Sequence, residues 1–319
     1  MKRFLLAACF ALLPALSLAD TIVVTLEKDN ALAIVDGDTL TLAKTVKIGR
    51  RPRDIHFSPD FKQIYVAVSD DDTIQVLDGG TYKVVGTLPS GEDPETFAID
   101  PEGRRMYVSN EDDNQVTVID LQTGKVVKAI PVGVEPEGIA TSPDGKWVIS
   151  TSETTNMAHW IDTRTLEIAH NTLVDPRPRA AAFTPDSQQL WVTSEIGSTL
   201  TIIDTGSKEI VKKIHFQIPG VTQALVQPVG VIIDSRRRYG YVALGPANRV
   251  AVIDAQKLEV VDYLLTGKRV WHLAFSTDGK RLYTTNGASH DVTVIDTEAL
   301  KPVKSVPVGH YPWGVAVRP

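Results

Sequence analysis

Cysteine is almost missing: the 319 residues hold a single one, Cys9. It lies in an N-terminal stretch with the layout of a secretory signal: Met1-Lys2-Arg3, an apolar run from Phe4 to Leu18, and the small-residue site Ser17-Leu18-Ala19 before Asp20. Leu6-Ala7-Ala8-Cys9 also has the form of a lipobox, but only five residues separate it from the charged pair, a short apolar core for that signal. Removal of residues 1–19 is therefore expected, placing a cysteine-free chain in the periplasm. Such a chain has no disulfide, no Cys-x-x-Cys-His attachment for c-type haem, no zinc-thiolate site and no thiol nucleophile. Long apolar runs are missing too, since nothing after the signal offers about 18 continuous apolar residues, so no membrane span is expected. Positive charge is in deficit, with 33 Lys and Arg against 39 Asp and Glu. Loss of Lys2 and Arg3 takes the net charge from −6 to −8, which argues against nucleic acid and anionic lipid as partners.

What the chain does have is a repeat. A hydrophobic residue followed by aspartate recurs at Val35-Asp36, Leu77-Asp78, Ile119-Asp120, Ile161-Asp162, Ile203-Asp204, Ile253-Asp254 and Ile295-Asp296, with spacings of 42, 42, 42, 42, 50 and 42 residues. A period of about 40 to 45 residues with four short strand signals per unit is that of a β-propeller blade. The fold class expected is all-β, a seven-bladed propeller of four-stranded antiparallel blades, forming one domain over residues 20–319.

Each unit reads as strands A to D, short β-branched or aromatic runs ended by Pro, Asp, Gly or Asn. Strand A is small or apolar in every copy, as at Phe97 to Ile99 and Leu273 to Phe275, which suits the strand nearest the axis. The N-terminus supplies B, C and D at Thr21 to Thr25, Ala31 to Val35 and Ala43 to Ile48, while Trp313 to Arg318 is a strand A with nothing after it. The last strand is expected to complete the first blade and hide two open sheet edges. The repeated aspartates, at equivalent places in seven units, are read as caps of the turn after strand C.

Strand B reads Ile64-Tyr-Val-Ala-Val68, Met106-Tyr-Val-Ser-Asn110, Gly240-Tyr-Val-Ala-Leu244 and Leu282-Tyr-Thr-Thr-Asn286, followed by segments such as Asn114-Gln-Val-Thr-Val-Ile-Asp120. These motifs resemble the YVTN-repeat β-propellers over essentially the whole chain after the signal. Blades such as Val132-Gly-Val-Glu-Pro-Glu-Gly-Ile-Ala-Thr-Ser-Pro-Asp-Gly145 are most similar to periplasmic propellers associated with PQQ-dependent alcohol catabolism. The resemblance implies an exported accessory protein beside a quinoprotein alcohol dehydrogenase, a c-type cytochrome or a transporter component, with no catalytic residues to carry over. It implies no cofactor on this chain, with PQQ or haem reached only through a partner, and a monomer is expected. Asp120-Leu-Gln-Thr-Gly-Lys125 is similar to the docking repeat of quinoprotein dehydrogenases, but those propellers have eight blades and a tryptophan soon after the Lys, where this chain has Val126 and Val127.

The D-to-A and B-to-C loops of a propeller open on one face, around the mouth of the central channel. The residue after the recurring proline is Arg53, Glu95, Glu137, Arg179, Val229, Trp271 and Trp313, with Val270 replacing proline once. Local folding does not require these differences, so the ring, with Tyr311 beside it, is the candidate ligand or partner site. The carboxylates either simply pair with the flanking arginines or grip a ligand; the tryptophans are expected as contact rings at an exposed mouth. His272, His290 and His310 fall in one sector and form a candidate metal or haem-ligand cluster, with scattered surface histidines as the alternative. His159 stands apart. The acidic turns Asp70 to Asp72 and Glu111 to Asp113 are read as solvated turns that attract a basic partner. Eight extra residues between His215 and Gln227 lie on the same face. Three activities remain in competition: binding or scaffolding, a lactonase-like hydrolase, and a haem- or quinone-binding propeller.

Overall fold

Seven four-stranded antiparallel sheets make up the computed structural model, which describes residues 20–319; the secretory signal expected at 1–19 lies outside the described residues. The first blade is Thr21–Leu26, Ala31–Asp36 and Thr41–Lys47, completed by the C-terminal strand Pro312–Arg318. Thr21 pairs with Arg318 and Val24 with Val315, so the chain ends are joined through one sheet. Blades 2 to 7 begin with strands A at Pro52–Phe57, Pro94–Ile99, Pro136–Thr141, Pro178–Phe183, Val231–Ile233 and Val270–Phe275. The strand positions expected in the first blade agree to within two residues. Among the described residues no helix is long and apolar enough to cross a membrane.

Strands B and C are buried on both faces, whereas strand D shows side chains such as Val84, Val126 and Lys125 to solvent. The apolar residues gather into seven clusters, each shared by two neighbouring blades: Val23 and Leu32 of blade 1 pack with Ile55 and Ile64 of blade 2, and Ile22 and Val24 pack with Tyr283 and Val294 of blade 7. No blade has a core of its own, so each depends on its neighbours.

Polar links stitch the blades near the axis. The strand B hydroxyls of Thr25, Thr151, Thr193 and Thr285 donate to the carbonyls of Arg53, Arg179, Val229 and Trp313 in the next blade. At the same seam Gly138, Gly230 and Gly314 have no room for a side chain, because a Cβ would sit 2.2 to 2.6 Å from the carbonyl oxygens of Arg179, Trp271 and Arg53.

All seven repeated aspartates cap the turn after strand C, as expected. Asp36 accepts from the amide of Thr39 at 2.8 Å, Asp120 from Thr123 at 2.7 Å and Asp296 from Ala299 at 2.8 Å, and the other four do likewise. These bonds hold most of the series, Asp36 and Asp120 included, below the usual carboxylate range. Their stabilisation is therefore present above about pH 4 and is lost as acid protonates them.

The long D-to-A loop is no loose embellishment. Phe216, Ile218 and Val226 are buried against Trp191 and Leu200 between blades 5 and 6, while Leu225 stands at the surface on a short 3-10 turn, Gln223–Leu225.

Thr193→Val keeps the shape of the side chain but leaves the buried Val229 carbonyl without its 2.6 Å partner. The variant is expected to lose about 1 kcal/mol of stability in urea unfolding; no loss would show that the seam contributes nothing beyond packing.

Candidate functional site

The mouth is built on a repeated, strained loop. Arg51, Asp93, Glu135, Arg177, Arg269 and Tyr311 immediately precede strand A, and each has a φ between 48° and 60°. Non-glycine residues rarely adopt this left-handed region. Five of these amides are held by an Asn or Asp side chain from the B-to-C turn: Arg51 by Asn30, Asp93 by Asp72, Glu135 by Asn114, Arg177 by Asn156 and Arg269 by Asn248, at 2.9 to 3.0 Å. In the sixth, the Tyr311 amide donates to Nδ1 of His290 at 3.2 Å. The sequence carries the signal, since Asn30, Asp72, Asn114, Asn156, Asn248 and His290 all stand six residues before the repeated aspartate.

This device corrects the expected histidine cluster. His290 occupies the asparagine position and spends Nδ1 on the backbone. His310 bonds Asp29 through Nδ1 at 2.8 Å on the outer rim, its ring centroid 5.0 Å from that of His290. His272 instead faces the channel and stacks on Trp313 at 3.9 Å. The three do not converge. His159 stays apart as expected, with Nε2 accepting from the Gly133 amide. The acidic turns likewise have backbone work: Asp71 accepts from the Arg50 amide and Asp113 from Glu92.

The post-proline residues form a continuous ion-pair network. Arg53 bonds Glu95 through Nε at 2.6 Å, and Arg51 reaches Glu95 at 2.9 Å and Asp93 at 2.8 Å. Arg179 bonds Glu137 at 2.9 Å and also pairs with Glu153. Arg177 Nε lies 2.9 Å from Glu153 and 3.0 Å from Glu195, off the line of a hydrogen bond to either, and Arg269 continues the network to Glu195 at 3.2 Å. The paired arrangement, one of the two readings open from the sequence, is thus what the geometry holds. Val229 is buried beneath it. Trp313, expected at an exposed mouth, is fully buried: the guanidinium of Arg53 covers it at 4.4 Å, and ring closure packs it between blades. Trp271 is half-buried under Arg269 at 4.3 Å, and Tyr311 is exposed.

Carboxylates outnumber arginines here. Glu111 has no arginine or lysine within ion-pair reach among the described residues; burial, then the charges of Glu95 and Asp93, pushes it up to about 7. Burial also pushes Glu95 and Glu137 up to about 7, against the pull of their arginines. Asp93, Glu95 and Glu111 could bring ligand atoms within 4.8 Å of one another, but Glu95 is already held by two arginines, and nothing else marks the trio as a cation site.

Above this network a basin of about 470 Å3 is lined by Glu111, Glu195, Ile196, Arg269 and Trp271 among others. Below it the channel holds a chamber of about 290 Å3. Glu137, Arg179 and Trp271 line both spaces. Beneath Glu137 and Arg179, the chamber's titratable groups sit in one sector. Asp54 and His56 of blade 2 are bonded at 3.1 Å, and His272 of blade 7 faces them across blade 1, which lines the chamber with Val315. Asp54 also accepts from the amides of Ile55 and Phe97. Burial opposes charge on both members of the pair, but mutual attraction wins, so Asp54 is held low and His56 raised. His272 is pushed down to about 4, chiefly by burial, with Arg53 and Arg179 adding to it against the pull of Asp54. Asp54 and His56 were missed in the sequence, although aligning the second residue after the proline shows Asp54, Thr96, Gly138, Ala180, Gly230, His272 and Gly314.

A family model for the cytochrome D1 heme domain matches residues 59–183. That segment covers the chamber's walls from Thr96 to Ala181 but includes neither Asp54, His56 nor His272. A sequence comparison with curated proteins gave no match. Among solved structures, the chain is similar to Kuenenia stuttgartiensis hydrazine synthase, with a TM-score of 0.79 and 22% identity over 87% of this chain and 92% of that one. It is similar to a protein from Bacteroides uniformis described as a candidate 6-phosphogluconolactonase, with a TM-score of 0.79 and 15% identity over 94% of this chain and 99% of that one. A dihydro-heme d1 dehydrogenase in complex with its ligand aligns at 0.66 and 18% identity, over 90% of this chain and 63% of that one. The chain is a seven-bladed propeller of the architecture these proteins share, and at such identities the likeness reaches the fold alone. Haem does not fit the chamber as it stands. A neutral imidazole, His272, is present, but about 290 Å3 lies at the lower bound of ligand pockets and is smaller than a tetrapyrrole needs. Trp271 and Arg179 border it from above.

Because the folded-state value of Glu111 is raised, its contribution to stability is complete below about pH 4.5 and is lost as pH rises through about 7. Thermal unfolding at pH 5 and pH 8 should show Glu111→Gln losing less stability over this interval than the wild type. Parallel pH profiles would remove Glu111 as a source.

Proposed function

We propose that this propeller is an exported accessory binding protein that offers its mouth face to a protein partner in PQQ-dependent alcohol catabolism. The carrying observation is the rim. Ile196 is 67% exposed, Leu225 45%, Val134 44% and Tyr311 41%, and all four stand on mouth-face loops around an ionic basin whose arginines are already paired. Large apolar side chains ringing a polar centre are a contact surface in search of a partner. The excess of carboxylates favours a basic partner and would speed its approach at low salt. A c-type cytochrome or the quinoprotein alcohol dehydrogenase itself, the partners implied by the strand B and loop motifs, fits this role. The chain itself then carries no cofactor and acts as a monomer; PQQ or haem belongs to the partner.

Capture of partners from the periplasm of ethanol-grown cells tests the reading. Ile196→Asp with Leu225→Asp should weaken capture of a quinoprotein or cytochrome about tenfold or more. The same partners retained at wild-type levels would sink the rim as a contact surface. Trp271→Ala is the companion variant; Trp313→Ala is not, since Trp313 is core.

A hydrolase is the second reading, favoured by Glu111, a carboxyl near 7 beside an open basin, and by the likeness to a candidate 6-phosphogluconolactonase. A general base poised near neutral pH contributes roughly a hundredfold or more. Lactone hydrolysis that falls by about that factor in Glu111→Gln would support it; no hydrolysis by the wild type would end it.

A further inference from the structure

The chamber beneath the mouth has a chemistry of its own. Its two charged pairs are each closed on themselves: Asp54 with His56 at 3.1 Å in the wall, and Arg179 with Glu137 at 2.9 Å in the roof. An entering anion or cation would therefore lose its water without finding a free opposite charge, a cost that excludes both. The imidazole of His272 is different. Its ring rests on Trp313 and faces the cavity, and among the described residues neither ring nitrogen has a hydrogen-bond partner. A neutral imidazole offers one N–H donor and one acceptor. His56 leaves 47% of its side chain open on the far side of the same gap, and blade 1 between them lines the chamber with the apolar Val315. Apart from Thr96, whose hydroxyl donates to the Glu137 carbonyl, the remaining walls are apolar, with Phe97, Ile139, Val231 and Leu273 among them.

We propose that the chamber is a second binding site, separate from the mouth surface, for a small uncharged monocyclic molecule bearing a hydroxyl, which His272 hydrogen-bonds while His56 and Phe97 hold its ring. A space of about 290 Å3 has room for one ring and its hydroxyl. The ring packs against Phe97 and the aliphatic wall, and the hydroxyl satisfies nitrogens that the protein leaves open. Entry is through the mouth, past Trp271 and the Arg179–Glu137 pair that line both spaces. The site does not depend on the partner reading, since rim variants such as Ile196→Asp leave its lining untouched.

The test uses phenol as the probe, with toluene and benzoate as controls, and histidine-labelled protein from residue 20 onward observed by NMR. Phenol is expected to shift the ring signals of His272 and His56 saturably, with benzoate at least tenfold weaker and toluene leaving the His272 nitrogens unmoved. His272→Phe, which keeps a ring on Trp313, should weaken phenol about fivefold to tenfold. Ring signals unmoved at the solubility limit of phenol would overturn the proposal, as would shifts confined to His290 and His310 at the rim. Benzoate binding as tightly as phenol, or His272→Phe binding phenol as well as the wild type, would do the same. The wild-type titration stands even if the variant fails to fold.

Discussion

Each blade has two apolar faces and can cover neither alone. That constraint governs the molecule: the seven clusters all lie between blades, as where Tyr107 of blade 3 packs with Val148 and Ile161 of blade 4. A row of such sheets is stable only if it has no ends, and so the first blade takes its inner strand, Pro312–Arg318, from the other terminus. Closure replaces the disulfides that a chain without cysteine in its described residues cannot form. It also gives the ring a fixed bore, lined by seven copies of strand A.

The same closure explains how the mouth tolerates strain. Residues before strand A are forced into the left-handed region because the chain must turn from an outer strand back to the axis within a few residues. In six of seven copies a side chain from the B-to-C turn holds the amide, so the loop is rigid and the next residues project at fixed places. A bulge two or three residues later, as between Pro52 and Ile55, re-aims the strand. Arg53 thereby turns to its neighbours in the ionic network while Asp54 and His56 line the bore.

Charge is divided by depth. At the rim, arginines and carboxylates satisfy one another in series, with the surplus falling on Glu111. Deeper, one pair is closed and one imidazole is left neutral. The outer region suits a macromolecule with exposed charge, and the inner region suits a molecule with none. Trp271, with Arg179 and Glu137, is the boundary between them.

The fold was legible because it is periodic: Asp36 to Asp296 mark the blades, and the unpaired strands at Thr21 and Trp313 announce the closure. The angular order of Arg53, Glu95, Glu137 and Arg179 followed from the same count. Depth did not. A repeat position says which blade a side chain belongs to, but whether Trp313 meets solvent or core depends on Arg53 lying over it, a contact between residues at opposite ends of the chain. Likewise the count put His272, His290 and His310 in one sector. Only backbone geometry sent the first into the bore, the second to an amide and the third to Asp29, because each stands on a different element of its blade. The sequence by itself determined the number, order and closure of the blades through hydrophobic periodicity. Only the tertiary structure decided which polar groups pair and which remain open, since that is set by distances across the bore between strands that share no local sequence.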